Sequence, residues 1–210
     1  MAGFAEIISV LDQADRSVTL FINSFSAPWS DAFWCFITGS RVWYPVYLII
    51  AIVMLRRLGW KRGLVAILAT VLTIVACDQF SNLIKHAVER LRPCHDRYMV
   101  EHGLNILVDK GGLYGFFSAH AANCFGFAVA TLVGFRSNGK SRCTPYAWGV
   151  FIWAALIGLS RIFVGKHYFG DVLVGAIVGF FLGLIISNLC FRILARLDRR
   201  FRDRKLFSIR

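Results

Sequence analysis

Residues 172–194 read VLVGAIVGFFLGLIISNLCFRIL. The stretch carries no acid, and its first cation is Arg192. It matches the roughly 20 apolar residues that a helix needs to cross the hydrocarbon core of a bilayer. In lipid every backbone N–H and C=O must find a partner within the chain, so such a segment has to be helical. The residues that follow invert its character. Arg192–Arg210 holds eight Lys/Arg against two Asp, a net of +6, which is half of the chain's +12. A basic tail abutting an apolar run marks a segment retained on the cytoplasmic side of a membrane. It also argues against nucleic acid as a partner, because the charge is gathered in that tail.

Three more long apolar runs lie upstream: Leu64–Ile84, Ala121–Phe135 and Tyr146–Phe163. Ala121–Phe135 is short for a span and is expected to begin near Ser118. A fifth run, Val42–Leu55, is extended upstream by Phe33–Thr38. The whole chain is 57% hydrophobic and 17% charged, with a mean hydropathy of +0.60. Soluble domains are about 45–50% apolar and about 25% charged, which sets this chain apart from soluble globules and disordered chains. Aromatic residues make up 15%, as suits rings lining a bilayer and its interfaces. With 210 residues, no repeat and no low-complexity stretch, residues 1–210 form one domain. Six cysteines, Cys35, Cys77, Cys94, Cys124, Cys143 and Cys190, are scattered without CxxC or zinc-type spacing, and the four within or beside apolar runs read as small hydrophobes. The start of the chain does not read as a signal peptide, because Glu6, Asp12 and Asp15 interrupt it.

Residues 1–30 differ from the runs. Phe4, Ile7, Ile8, Leu11, Ala14, Val18, Phe21 and Phe25 recur every three or four residues, and Glu6, Asp12, Gln13 and Arg16 take the other face. This predicts an amphipathic helix lying in the membrane interface. The expected fold is therefore all-α: a polytopic membrane helix bundle of five to six transmembrane helices, the higher number applying if the N-terminal helix crosses. Arg56, Arg57, Lys61 and Arg62 lie between the first and second spans, and Arg136, Lys140 and Arg142 between the third and fourth. Together with the tail 192–210 they fall on one side, which makes that side cytoplasmic. The two loops Lys85–Phe117 and Arg161–Asp171 then face outward, so residues 85–171 carry both outward loops.

Those loops gather ionisable groups at the mouths of membrane helices, where such groups are costly and mark function by default. Three clusters stand out: KHAVERLRP (85–93), FSAH (117–120) and SRIFVGKHYFGD (160–171). In a helix His167 and Asp171 share a face, and a carboxylate on one ring nitrogen leaves the other as nucleophile or base. Ser118 is placed to cap a helix whose free N–H groups attract anions, with His120 beside it as a proton donor. Lys85, Arg92 and Arg161 suit phosphate oxygens. Taken singly, each cluster has an ordinary explanation in an interfacial histidine, a helix cap or a snorkelling cation. Asp78, Asn82 and Lys85 form a polar stripe on the second long run, with Asp78 expected to steady the base of the site. Glu89 is spaced to pair with Lys85. His95, Asp96 and His102 are expected to be solvated.

The three clusters together resemble, in order and spacing, the tripartite motif of the type 2 phosphatidic acid phosphatase superfamily. Lys85, Arg92 and Pro93 match KxxxxxxRP, and Ser160, Arg161, His167 and Asp171 match SRxxxxxHxxxD at every defined position. The middle element keeps Ser118 and His120 of PSGH but has Phe117 for Pro and Ala119 for Gly. The resemblance implies that His167 attacks phosphorus and Asp171 orients it. It further implies that His120 protonates the leaving oxygen, and that Lys85, Arg92, Ser118, Ala119 and Arg161 hold the phosphate. No cofactor and no metal are implied. The expected function is hydrolysis of a lipid phosphate or diphosphate in the bilayer by a multi-pass protein of the inner (plasma) membrane, with the site facing the periplasm or exterior. Undecaprenyl diphosphate is the first choice of substrate, with lipid A and then phosphatidylglycerol phosphate or phosphatidate as alternatives. Vanadium-dependent haloperoxidases resemble the motif but are soluble. A non-enzymatic anion or lipid transporter would line a path through the midplane, whereas these charges collect at one face. The apolar loop Cys94–Phe116, with Leu104, Ile106, Leu107, Leu113, Tyr114 and Phe116, is expected to act as a lipid-contacting lid.

Overall fold

The computed structural model describes residues 2–139 and 143–207. Lys140, Arg142 and Arg210 of the expected basic segments lie outside the described residues. The described residues fold into eight α-helices: α1 (Ala2–Asn23), α2 (Pro28–Thr38), α3 (Tyr44–Leu58), α4 (Trp60–Val88), α5 (Arg97–Glu101), α6 (Ala119–Arg136), α7 (Thr144–Phe163) and α8 (Phe169–Phe207). The four clear apolar runs lie in α4, α6, α7 and α8. Ser118 caps α6 by accepting a hydrogen bond from the Ala121 N–H at 3.4 Å, so the third run does begin there.

The fifth run is broken. Pro28, instead of interrupting a helix, occupies the first turn of α2, where its missing N–H is no loss. The chain then turns at Gly39 through a short 3₁₀ segment, Ser40–Trp43, and α3 starts with Pro45 in its first turn. The two halves are bent by 64°.

By length and composition α4, α7 and residues 169–200 of α8 are each able to cross a membrane, and the bent α2–α3 pair raises the number to four. The five to six spans expected from sequence are thus supported only in part. The physical reason lies in α6, which packs against α4, α7 and α8. Its face is largely protein, so it carries Gly, Ala, Thr and Cys where a lipid-facing helix would carry large apolar side chains.

Small residues set the helix spacing. Gly175, Gly179 and Gly183 of α8 lie against the carbonyls of Ser118, Ala122 and Gly126 on α6. A Cβ at Gly175 or Gly183 would stand 2.5 Å or 2.7 Å from the facing oxygen, and Gly179 is tighter still. On another face of α6, a Cβ at Gly126 would meet Thr73 of α4 at 2.9 Å. The polar side of α1 lies on the loops between α4 and α6 and between α7 and α8. Asn23 bonds the carbonyls of Asn105, Ile162 and Phe163 at 3.0–3.1 Å. Ile7, Ile8, Val10, Leu11 and Phe21 on its other side are exposed.

Candidate active site

The motif-bearing ends of α4, α6, α7 and α8 converge where α8 meets the start of α6. The Ser118 N–H donates to the Asp171 carbonyl at 2.9 Å, tying two motif elements together through backbone. His167 is not in the helix. It follows a turn at Gly165 (φ +76°), a conformation that glycine adopts without strain. A Cβ at Gly165 would also stand 2.7 Å from the Asn105 carbonyl. Asp171 lies in the first turn of α8, and its Oδ2 accepts the Tyr168 N–H at 3.2 Å, as an acid at that position commonly does. The same oxygen faces His167 Nδ1 at 3.3 Å. The expected i, i+4 pairing is present, but it is built at a helix cap. Both side chains are buried.

Nδ1 facing a carboxylate favours the Nδ1–H tautomer and leaves Nε2 unprotonated. Burial, and then the charges of Arg161, Arg92, Lys85 and Lys166, hold the His167 pKa well below the ordinary 6.5. The charges of Arg161, Lys85 and Arg92 also reach His120, as does His167. The predicted residues are therefore brought together: Lys85 from α4, Arg92 from the following loop, Ser118, Ala119 and His120 from the start of α6, Arg161 from α7, and His167 and Asp171.

Arg92 and Arg161 are each fastened by hydrogen bonds. Arg92 donates through Nε to the Tyr114 carbonyl at 3.0 Å, and its N–H bonds the Leu113 carbonyl at 3.0 Å. Arg161 is buried, gives Nη1 to Thr38 Oγ1 at 2.6 Å, and leaves Nε without a protein partner. Ala119 sits in the first turn of α6 and needs no positive φ, so replacing the motif's Gly causes no backbone strain there. The N–H groups of Ala119 and His120 precede the helix's internal ladder, as first-turn donors do.

Several expectations are corrected. Glu89 ends α4 in a left-handed conformation (φ 50°), and among the described residues it makes no ion pair with Lys85. Asp96 is far from merely solvated: Tyr168 Oη donates to it at 2.6 Å and Arg16 pairs with it at 2.8 Å. The loop expected as a lid is anchored, because Leu104 packs with Met99 and Tyr168 in a buried cluster and only Leu113 of the six named apolar residues is strongly exposed. Asp78 accepts from Asn123 at 2.8 Å, one turn along α6 from His120, and its charge acts on Lys85.

Sequence reasoning missed Lys166, Thr38 and Arg90. Lys166 is buried, bonds the Asp109 carbonyl through Nζ, and has its pKa lowered by burial and by Arg92. Its position beside His167 was the available signal. Arg90 lies inside the first motif element and pairs with Asp171 Oδ1 at 2.9 Å. Among the described residues no group of three or more His, Cys, Asp and Glu is placed to hold a metal ion.

The sequence profile of the PAP2 superfamily matches residues 60–194. The chain is 33% identical over 194 residues to a lipid A 4'-phosphatase of Bacteroides thetaiotaomicron, covering 91% of this chain and 84% of that one. It is 27% identical over 172 residues to a lipid A 4'-phosphatase of Porphyromonas gingivalis, covering 81% and 70%. Among solved structures, the fold is similar to the transmembrane PAP2-type phosphatidylglycerolphosphate phosphatase of Bacillus subtilis, with a TM-score of 0.66 at 22% identity over 88% of each chain. It is also similar to Aquifex aeolicus LpxE, with a TM-score of 0.58 at 24% identity, covering 82% of this chain and 93% of that one.

Proposed function

The chain belongs to the PAP2 superfamily, and from that premise we propose that it removes the 4'-phosphate of lipid A through a phosphohistidine on His167. It is an integral membrane lipid phosphatase by its relatives and its spans. The proposal concerns the lipid, the residues and the side of the membrane. Lipid A, rather than the undecaprenyl diphosphate expected from sequence, is the lipid in the names of the two relatives above.

The observation that carries the mechanism is the His167–Asp171 pair set among four cations. His167 Nε2 attacks phosphorus while Asp171 faces Nδ1. The bond from phosphorus to the lipid oxygen breaks, and His120 gives that oxygen a proton. Water then attacks the phosphohistidine, with His120 taking the proton back, and inorganic phosphate leaves. Lys85, Arg92 and Arg161, with Ser118 and the Ala119 and His120 N–H groups, neutralise the charge spread over the equatorial oxygens. That supplies what phosphoryl transfer needs, namely positioning and electrostatic stabilisation, without a metal. The basic segments at the other end of the bundle support a reading in which this end faces away from the cytoplasm.

The test is phosphate release by the purified protein from lipid A, undecaprenyl diphosphate, phosphatidylglycerol phosphate and phosphatidate, with and without EDTA. Lipid A should be turned over fastest, by loss of the 4'-phosphate in the mass spectrum, and EDTA should not abolish release. Turnover of undecaprenyl diphosphate alone would overturn the substrate assignment.

A further inference from the structure

Among the described residues Arg90 forms no hydrogen bond or ion pair through its side chain with the groups proposed to hold phosphate, yet it makes three ion pairs. Nη1 meets Asp171 Oδ1 at 2.9 Å, and Nη2 meets Asp12 Oδ1 at 3.0 Å and Asp15 Oδ2 at 2.8 Å. Its guanidinium lies 4.0 Å from the ring centre of buried Tyr168. Burial works against its charge, but Asp171, Asp15 and Asp12 more than offset this and raise its pKa.

Asp12 and Asp15 belong to α1, and α1 grips the same region a second time. Asp15 Oδ1 accepts the Gly170 N–H at 2.7 Å, and Thr19 Oγ1 accepts the Phe169 N–H at 3.0 Å. The first-turn donors of α8, which a helix cannot satisfy internally, are thus capped by α1. A Cβ at Gly170 would stand 2.8 Å from Asp15 Oδ2, so an added methyl would press on the Asp15 carboxylate.

We propose that Arg90, held by Asp12 and Asp15, is a positioning residue for the Asp171–His167 pair, so that α1 is part of the catalytic centre as well as an amphipathic surface helix. The proposal rests on the reading of His167 as nucleophile. A carboxylate has two oxygens, and Arg90 engages Oδ1. That leaves Oδ2 facing His167 and the Tyr168 N–H, and it fixes the rotation that aims Nε2. Arg90 also supplies the countercharge for a fully buried carboxylate, whose loss of partner is costly. The groups facing the pair are Lys85 from α4, Arg92 and Arg90 from the loop after it, His120 from α6, Arg161 from α7, Lys166 and Tyr168 from the loop before α8, and Asp12 and Asp15 behind Arg90.

The test uses the purified full chain carrying Arg90→Gln, Arg90→Lys, Asp12→Asn, or Asp12→Asn with Asp15→Asn. Arg90→Gln should lower kcat by about 10- to 100-fold, the usual effect of losing an outer partner of a functional group, with a smaller change in KM. Arg90→Lys should recover part of kcat. The double Asn variant should fall between wild type and Arg90→Gln, and Asp12→Asn, which leaves the Asp15 caps in place, should lose least. Imidazole resonances give a readout independent of turnover: removing the Arg90 charge favours one more proton on the pair, so its titration should move to higher pH in Arg90→Gln but not in Arg90→Lys. Unchanged kcat in Arg90→Gln, or lost kcat with an unmoved titration, overturns the proposal. An unchanged double Asn variant overturns the role of α1. A shifted titration in a protein that releases phosphate from no lipid would instead overturn the proposed function alone.

Discussion

His167 is buried at 3% exposure and surrounded by cations, so protonating it adds a charge where charge is least welcome. The neutral ring is also the form a nucleophile requires. The sign follows directly. An unfolded chain takes up this proton near pH 6.5, and the folded chain only well below it, so the contribution to stability is present above pH 6.5 and is lost as pH falls beneath it. The ring should stay neutral at pH 6.5, where an ordinary histidine is half protonated, read from its nitrogen chemical shifts with His167→Asn providing the assignment. Titration near 6.5 would contradict the geometry. At this scale the motif residues were legible because their spacing within each cluster is short. Thr38, Asp12 and Asp15 were not, because their partners Arg161 and Arg90 lie 75 or more positions away and no local pattern links them.

Apolar length located α4, α7 and α8 because those helices present long side chains outward over much of their surface. It also located α6, as a shorter run because its neighbours are other helices, and it joined α2 to α3 across a 64° bend that the Gly39 turn betrays. The small-residue stripe on α8 has a specific purpose: it lets α8 reach the carbonyls of α6, beside the Ser118–Asp171 backbone bond that joins two motif elements. Gly179→Ala should destabilise the protein by about 1–3 kcal/mol, the usual range for overpacking, and should lower activity by separating α8 from α6. Gly149→Ala, where a Cβ meets nothing within 4 Å, should be neutral or slightly stabilising. Thermal unfolding of the two variants in one detergent measures the contrast. Equal midpoints would show that the α6–α8 contact can relax.

Over the whole molecule, charge and chemistry separate to opposite ends. The basic residues Arg56, Arg57, Lys61 and Arg62 lie where α3 meets α4, and Arg136 ends α6, whereas the candidate site lies where α4 ends and α6 begins. Translocating several cationic segments is disfavoured, so the site end should face outward. With the six native cysteines replaced, Glu101→Cys on α5 should react with an impermeant thiol reagent in intact cells, and Lys61→Cys only after lysis. Both positions are exposed, so the comparison is fair. The reverse pattern would place the site in the cytoplasm. The central claim, that lipid phosphate passes through His167, is tested most directly by rapid quenching of the enzyme with lipid A labelled in its 4'-phosphate. The account predicts acid-labile, base-stable label on the wild-type chain and none on His167→Ala, which should also release no phosphate. Label on the His167→Ala chain, or wild-type turnover with no labelled enzyme at any time, would contradict it.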